Sequence, residues 1–433
     1  MKIKVAYDIS FLVKELKRQD HKSGIFRETE ELMHALGNKG GIELFLSCIC
    51  IEKNLIFNSV KFLSCIQKEP TWAKYKHIDV FKSRLGIKSF YEKYYSFNHP
   101  EESNIDHNHS LKLAYNKGIF QLISLFDAYQ KIDWQSVDII HSTYHKLPSK
   151  KITKKIPRVL TIQDLIPVVK PDLVAPSLNK AFKDTLSSVD LKDDWIICIS
   201  EHTKQEFCEY TGFPLERTFV THLAAAKHFH PVKDLEAIDS VRKLYRIPEG
   251  NYFLSLATHL APHKNLIHLI RCFYKLKEEQ PNLNVKLVLA GSKHYRLAEI
   301  INSIDSSSKL SSSVIFTGYV EDTDLSALYS GSSAFIFPSL YEGFGLPPLE
   351  AMQCGTPVIT SNVTSLPEVV GDAGLMVNPA DEDELCQAML TVLNDKDLAQ
   401  ELRYKGLIRS KNFSWSKCAA DTVEVYKKVL NSR

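Results

Sequence analysis

Residues 341–350 read Tyr341-Glu342-Gly343-Phe344-Gly345-Leu346-Pro347-Pro348-Leu349-Glu350: a glycine-opened loop, a proline-started helix, and two carboxylates with seven residues between them. Ahead of this stretch, residues 333–337 (Ser-Ala-Phe-Ile-Phe) form a short apolar run of strand type. Behind it, Glu350 to Cys354 is helical by composition, and Gly355 fits the C′ position that closes a helix. The order is therefore strand, loop, helix. Proline at 347 or 348 suits a first helical turn, whose unpaired N–H groups point back at the loop and make an anion site of a size for a diphosphate. On one continuous helix, eight steps of about 1.5 Å would hold Glu342 and Glu350 roughly 12 Å apart. A retaining glycosidase pair needs about 5–5.5 Å, so these carboxylates act on different parts of a ligand.

Outward from this stretch the punctuation is regular. Residues 251–257, 285–290, 314–318 and 333–337 have the character of buried strands, with helical patterns such as Leu266 to Leu276 between them. Alternating strands and helices predict a parallel, doubly wound α/β sheet, with ligands beyond the carboxyl ends of its strands. The first half is less regular but offers strands at 2–8, 42–50, 158–163 and 194–200. An aromatic- and lysine-rich insertion is expected at about 51–135, and a serine-rich solvated loop at 303–313. The boundary between halves falls near His228-Phe-His-Pro231.

The segment from Glu342 to Glu350, continued through Thr356-Pro357-Val358-Ile359-Thr360 and Leu366-Pro367-Glu368, resembles the E-x7-E signature of the retaining GT-B glycosyltransferases of family 4. The resemblance implies two Rossmann-like doubly wound domains facing a central cleft: residues 1–230 on the acceptor side, 231–413 binding the nucleotide sugar, and 414–433 as a helix crossing back. It further implies that Glu342 meets the donor sugar, that Glu350 holds the ribose hydroxyls, and that the backbone of Gly343, Phe344, Gly345 and Leu346 lines the sugar and diphosphate. Lys264, between a strand and a helix, matches the lysine that neutralises the diphosphate, while His259 stands where many members carry arginine. Gly24-Ile-Phe-Arg27 resembles the loop that lets donor phosphate approach the backbone, and Tyr319 with Val320 sits where the nucleobase is placed. Thr161-Ile-Gln-Asp-Leu-Ile-Pro167 resembles the strand-end segment that faces the donor sugar and often reads His-Asp; here Gln163 replaces the histidine and cannot serve as a base, whereas Asp164 can bind a sugar hydroxyl or organise the site. No metal and no cofactor are implied.

The implied activity is transfer of a hexose-type sugar from a UDP- or GDP-linked donor to a glycan or lipid-linked glycan. Two other readings stay open: a GT-B epimerase acting on the donor alone, which Gln163 disfavours, and a non-catalytic donor-binding partner subunit, prompted by Gln163 and His259. The formal charge of +3 and the lack of an arginine-rich tract argue against nucleic acid as a partner. Nine scattered cysteines without zinc spacing are expected to be reduced and structural, and Asp106-His-Asn-His109 reads as a solvated loop before a metal site. The first residues read as a strand and not as a signal peptide, and no apolar run reaches the ~20 residues that span a bilayer. The expected location is cytoplasmic. Lysines 146, 150, 151, 154 and 155, with Arg158, read first as a solvated loop and second as a peripheral contact with the inner membrane face or a lipid-diphosphate acceptor.

Overall fold

The computed structural model describes residues 2–15, 24–47, 70–72, 74–77, 137–257, 261–291 and 311–432. His259, the Asp106–His109 motif, nearly all of the expected insertion and most of the serine-rich loop lie outside them.

Two all-parallel sheets organise the chain. The first runs β3-β2-β1-β4-β5-β6-β7, from β1 (Ile3–Asp8), β2 (Ile42–Ser47), β3 (Lys76–His77), β4 (Ile139–Ser142), β5 (Arg158–Ile162), β6 (Trp195–Cys198) and β7 (Thr218–Val220). The second runs β10-β9-β8-β11-β12-β13, from β8 (Asn251–Leu256), β9 (Val285–Ala290), β10 (Val314–Gly318), β11 (Ala334–Phe337), β12 (Val358–Ser361) and β13 (Gly374–Val377). Each reverses its strand order beside its first strand, at β1/β4 and β8/β11, and each therefore opens a crevice there. Helices cover both faces, so the central strands are apolar on both sides: β4, β5, β11 and β12 are buried along their whole length. In the register, Val5 lies beside Leu44 and Ile139, and Phe253 beside Leu287 and Ala334.

The last helix, Trp415–Asn431, returns to pack on the helix Gly24–Gly37 of the first sheet. Ser414 caps it, and the Tyr426 hydroxyl lies 2.6 Å from Nδ1 of the buried His141, whose Nε2 lies 2.8 Å from the Thr161 hydroxyl. Burial holds that imidazole down to about 3, so it stays neutral.

The basic stretch is corrected at two points. Arg158 belongs to the interior: it is 3% exposed, its guanidinium pairs with Asp194 at 2.5 Å, and it also donates to the Pro148 carbonyl. Lys150 is engaged by Asp190 and Asp193, while Lys151, Lys154 and Lys155 are exposed. The six described cysteines are free thiols, five of them buried. Among the described residues, no helix is long and apolar enough to cross a membrane.

Candidate active site

The carboxyl ends of the two sheets face each other across a cavity of about 510 Å³. The wall from the second sheet begins where β11 ends. Ser339 donates to Glu342 Oε1 at 2.6 Å, and the Glu342 N–H is held by the Thr364 hydroxyl at 3.1 Å. Lys264 reaches the same oxygen, also at 2.6 Å, with its ammonium 5.0 Å from the centre of the Phe337 ring. Its turn is fixed by Asn265, whose left-handed backbone closes the turn Pro262–Lys264 and whose amide donates to the carbonyls of Pro338 and Pro379.

The helix that carries Glu350 starts only at Leu346 (Leu346–Gln353), so Glu342 sits in the loop before it and the premise of one continuous helix fails. Gly345 enters that helix at φ 119°, where a side chain would be strained, and no side chain caps it. With prolines at both 347 and 348, two first-turn N–H donors are missing, so the anion site is narrower than helix geometry alone predicts. Glu350 is 5% exposed; it accepts from the Tyr329 hydroxyl at 3.2 Å and meets the Arg27 guanidinium of the opposite wall at 3.4 Å. Burial raises its pKa, and Arg27 draws it back. Arg27 also pairs with Asp322 at 3.0 Å.

The first-sheet wall is made by the end of β5 and the helix Gly24–Gly37. Asp164 accepts the Ile166 N–H at 2.9 Å. Burial lifts its carboxyl to about 6; that N–H and Lys264 oppose the rise, and Glu342 adds to it. The Gln163 amide donates to Glu28 at 2.8 Å and to the Thr143 carbonyl at 3.2 Å. The two walls touch where a Cβ on Gly343 would lie 2.1 Å from the Gln163 carbonyl oxygen, so this contact admits only glycine. Thr203 reaches the Gly343 carbonyl at 3.3 Å, and the Tyr341 hydroxyl donates to Glu206. The Glu368 carboxylate receives the Glu201 N–H at 2.9 Å, the His202 N–H at 3.4 Å and His222 Nε2 at 2.5 Å.

Gly24, Gln163, Asp164, Lys264, Tyr319, Val320, Gly343, Phe344, Gly345, Leu346, Glu342 and Glu350 thus all line one cavity. Val320 is 5% and Tyr319 45% exposed. The sequence reading passed over Glu28 and His263, and gave Arg27 no role. A helical register starting at Gly24 places residues 27 and 28 on the glycine's face, and that signal was available. His263 precedes Lys264 and had no signal; burial and the neighbouring ammonium hold its pKa down to about 4.

Residues 238–408 match the model of the family described as glycosyl transferases group 1. O-antigen chain mannosyltransferase B of Escherichia coli is 34% identical over 250 residues, 58% of this chain and 64% of that one. The chain spans less than two thirds of the length of the first curated relatives it matches. Among solved structures, a glycosyltransferase from Rickettsia africae superposes with a TM-score of 0.61 over 100% of both chains at 15% identity. Anabaena HepE in complex with UDP and glucose superposes with a TM-score of 0.61 at 14% identity, over 98% of this chain and 100% of that one. With its two doubly wound sheets facing across a cleft, this chain has the GT-B fold.

Proposed function

We propose that the protein is a glycosyltransferase moving a hexose-type sugar from a UDP- or GDP-linked donor to a glycan or lipid-linked glycan, with retention at the anomeric carbon and without a metal ion. The observation that supports this best is the Lys264–Glu342 pair, 2.6 Å apart on a wall that also carries the buried Glu350 and faces Asp164. In this reading the bond from the anomeric carbon to the diphosphate breaks while a bond to the acceptor oxygen forms on the same face. The hydroxyl proton passes to the departing phosphate. Lys264 and the Leu346 N–H receive the growing negative charge, and such preorganised groups commonly supply the largest catalytic effect. Glu342 and Asp164 hold sugar hydroxyls, and Glu350 holds the ribose. The matched relative named a mannosyltransferase favours mannose as the sugar. Lys151 and Lys154 are exposed and offer a peripheral membrane contact if the acceptor is lipid-linked.

The test is incubation with UDP-glucose, UDP-galactose, ADP-glucose and GDP-mannose, each with methyl and octyl glycosides and excess EDTA, and NMR of the product. Free nucleotide and an α-glycoside are expected. An isomerised donor would instead identify an epimerase, and binding without turnover a non-catalytic donor-binding subunit.

A further inference from the structure

One strip of the cleft has no part in the chemistry above. Ile166, Pro167, Val174, Leu178, Phe182 and Thr185 line the cavity within a short run of chain. The last three stand at i, i+4 and i+7 and so share one face of the helix Pro176–Leu186. An amphipathic helix normally turns such a face into a protein core. Here Thr185 is the single buried residue of the helix, and exposure along the face climbs from 7% at Thr185 to 47% at Leu178, so the face runs from the interior out to solvent. The helix is held in place all the same: it packs on the helix Ile166–Val169, and the Asn179 amide donates to the Pro167 carbonyl. At about 1.5 Å per residue, Leu178 to Thr185 covers roughly 10 Å.

The chemistry of the strip decides what it holds. Five of its six side chains carry no polar atom, and the hydroxyl of the sixth, Thr185, donates to the Ala181 carbonyl. Phosphates or sugar hydroxyls laid there would leave water and find no side-chain partner. A nucleobase carries its donors and acceptors around its edge, and they would face alkyl groups. A nucleotide sugar has no other kind of surface, so the donor does not fit. An alkyl chain does, and it must arrive with the acceptor. The strip also begins where such a chain would leave the reacting sugars, because the Ile166 N–H holds the Asp164 carboxyl at 2.9 Å. We propose that this strip binds an alkyl chain joined to the acceptor sugar, which makes the acceptor an amphiphilic, lipid-linked glycoside and not a free glycan. This rests on the transferase reading.

The experiment is steady-state kinetics with the donor of the panel above that the wild type accepts, comparing methyl and octyl glycosides of one sugar. Both are kept below the micellar concentration of the octyl compound, so that a preference reports a bound chain and not a surface. The wild type should favour the octyl glycoside about tenfold or more in kcat/KM, since burial of two methylenes already supplies that factor. In Leu178→Gln the octyl-to-methyl ratio should fall to about threefold or less. Leu178→Met keeps an apolar side chain of similar volume, and its ratio should stay within about twofold of wild type. Leu178 is 47% exposed, so neither change is expected to prevent folding. Equal use of the two glycosides by the wild type, or an undiminished ratio in Leu178→Gln, would overturn the proposal while leaving the transferase reading standing. A change confined to the donor KM would do the same, because it would give the strip to the nucleobase. No transfer by the wild type with any donor of the panel would overturn both.

Discussion

The two walls of the cleft carry their carboxyl groups differently. On the second-sheet wall each acid meets a cation: Glu342 meets Lys264 at 2.6 Å, and Glu350 meets Arg27 at 3.4 Å. On the first-sheet wall Glu28 and Asp164 are held by neutral donors, the Gln163 amide and the Ile166 N–H, and burial lifts them to about 8 and about 6. The charged wall suits a phosphorylated ligand, and the neutral wall suits hydroxyls. One fold unit used twice can thus be specialised by what lies opposite its acids, with the strand order unchanged.

The contrast breaks most easily at Glu28. Its folded pKa, about 8, stands above the ordinary 4.5. Its contribution to stability is therefore full below about 4.5 and is lost as pH rises through about 8, by up to roughly 5 kcal/mol. Glu28→Gln should remove that slope, so urea titrations at low and high pH should differ less for the variant than for wild type. On the charged wall, Lys264→Ala should cost on the order of 2–4 kcal/mol in kcat/KM, with nucleoside affinity little changed. Wild-type turnover in that variant would erase the distinction between the walls.

The contact between the walls is tested by Gly343→Ala, whose methyl has no room against the Gln163 carbonyl. A destabilisation of about 1–3 kcal/mol is expected, measured by urea unfolding. The division of labour within the charged wall is sharpened by titrating free nucleotide: Glu350→Ala should weaken it about tenfold, and Glu342→Ala should not. Equal losses would merge the two roles. The smallest effect belongs to the surface. Replacing Lys151 and Lys154 by glutamine should change stability by less than about 0.5 kcal/mol. Co-sedimentation with anionic vesicles at low salt should fall in the same variant if the lysines meet a membrane.

Much of the second half was legible because its wall is nearly contiguous. Ser339 to Glu350 supplies most of it, and the strand before it and the Gly345 entry each have a strong local signal. The first wall is assembled from Gly24, Arg27 and Glu28, from Tyr144 and from Gln163 and Asp164, which only topology brings together, and a lone glutamate four residues after a glycine has no motif to mark it. Strands β3, β4, β7, β12 and β13 went unassigned because two to four residues leave too short a run for periodicity to show. Arg158 was misplaced because the lysines before it suggested a common surface, whereas its partner Asp194 lies 36 residues on, across the β5–β6 pairing.

Glu368 gives the cleft a further property. Its carboxylate sits on the first N–H groups of the helix Glu201–Thr211 and on His222, so one anion from the second half rests against the positive end of a helix in the first. Burial alone would raise its pKa, but His222 and those N–H groups prevail and hold it below the ordinary value. Protonation at low pH therefore removes the fastening, and salt weakens it. The strength of this one contact between the halves thus depends on acidity and ionic strength through a single carboxylate.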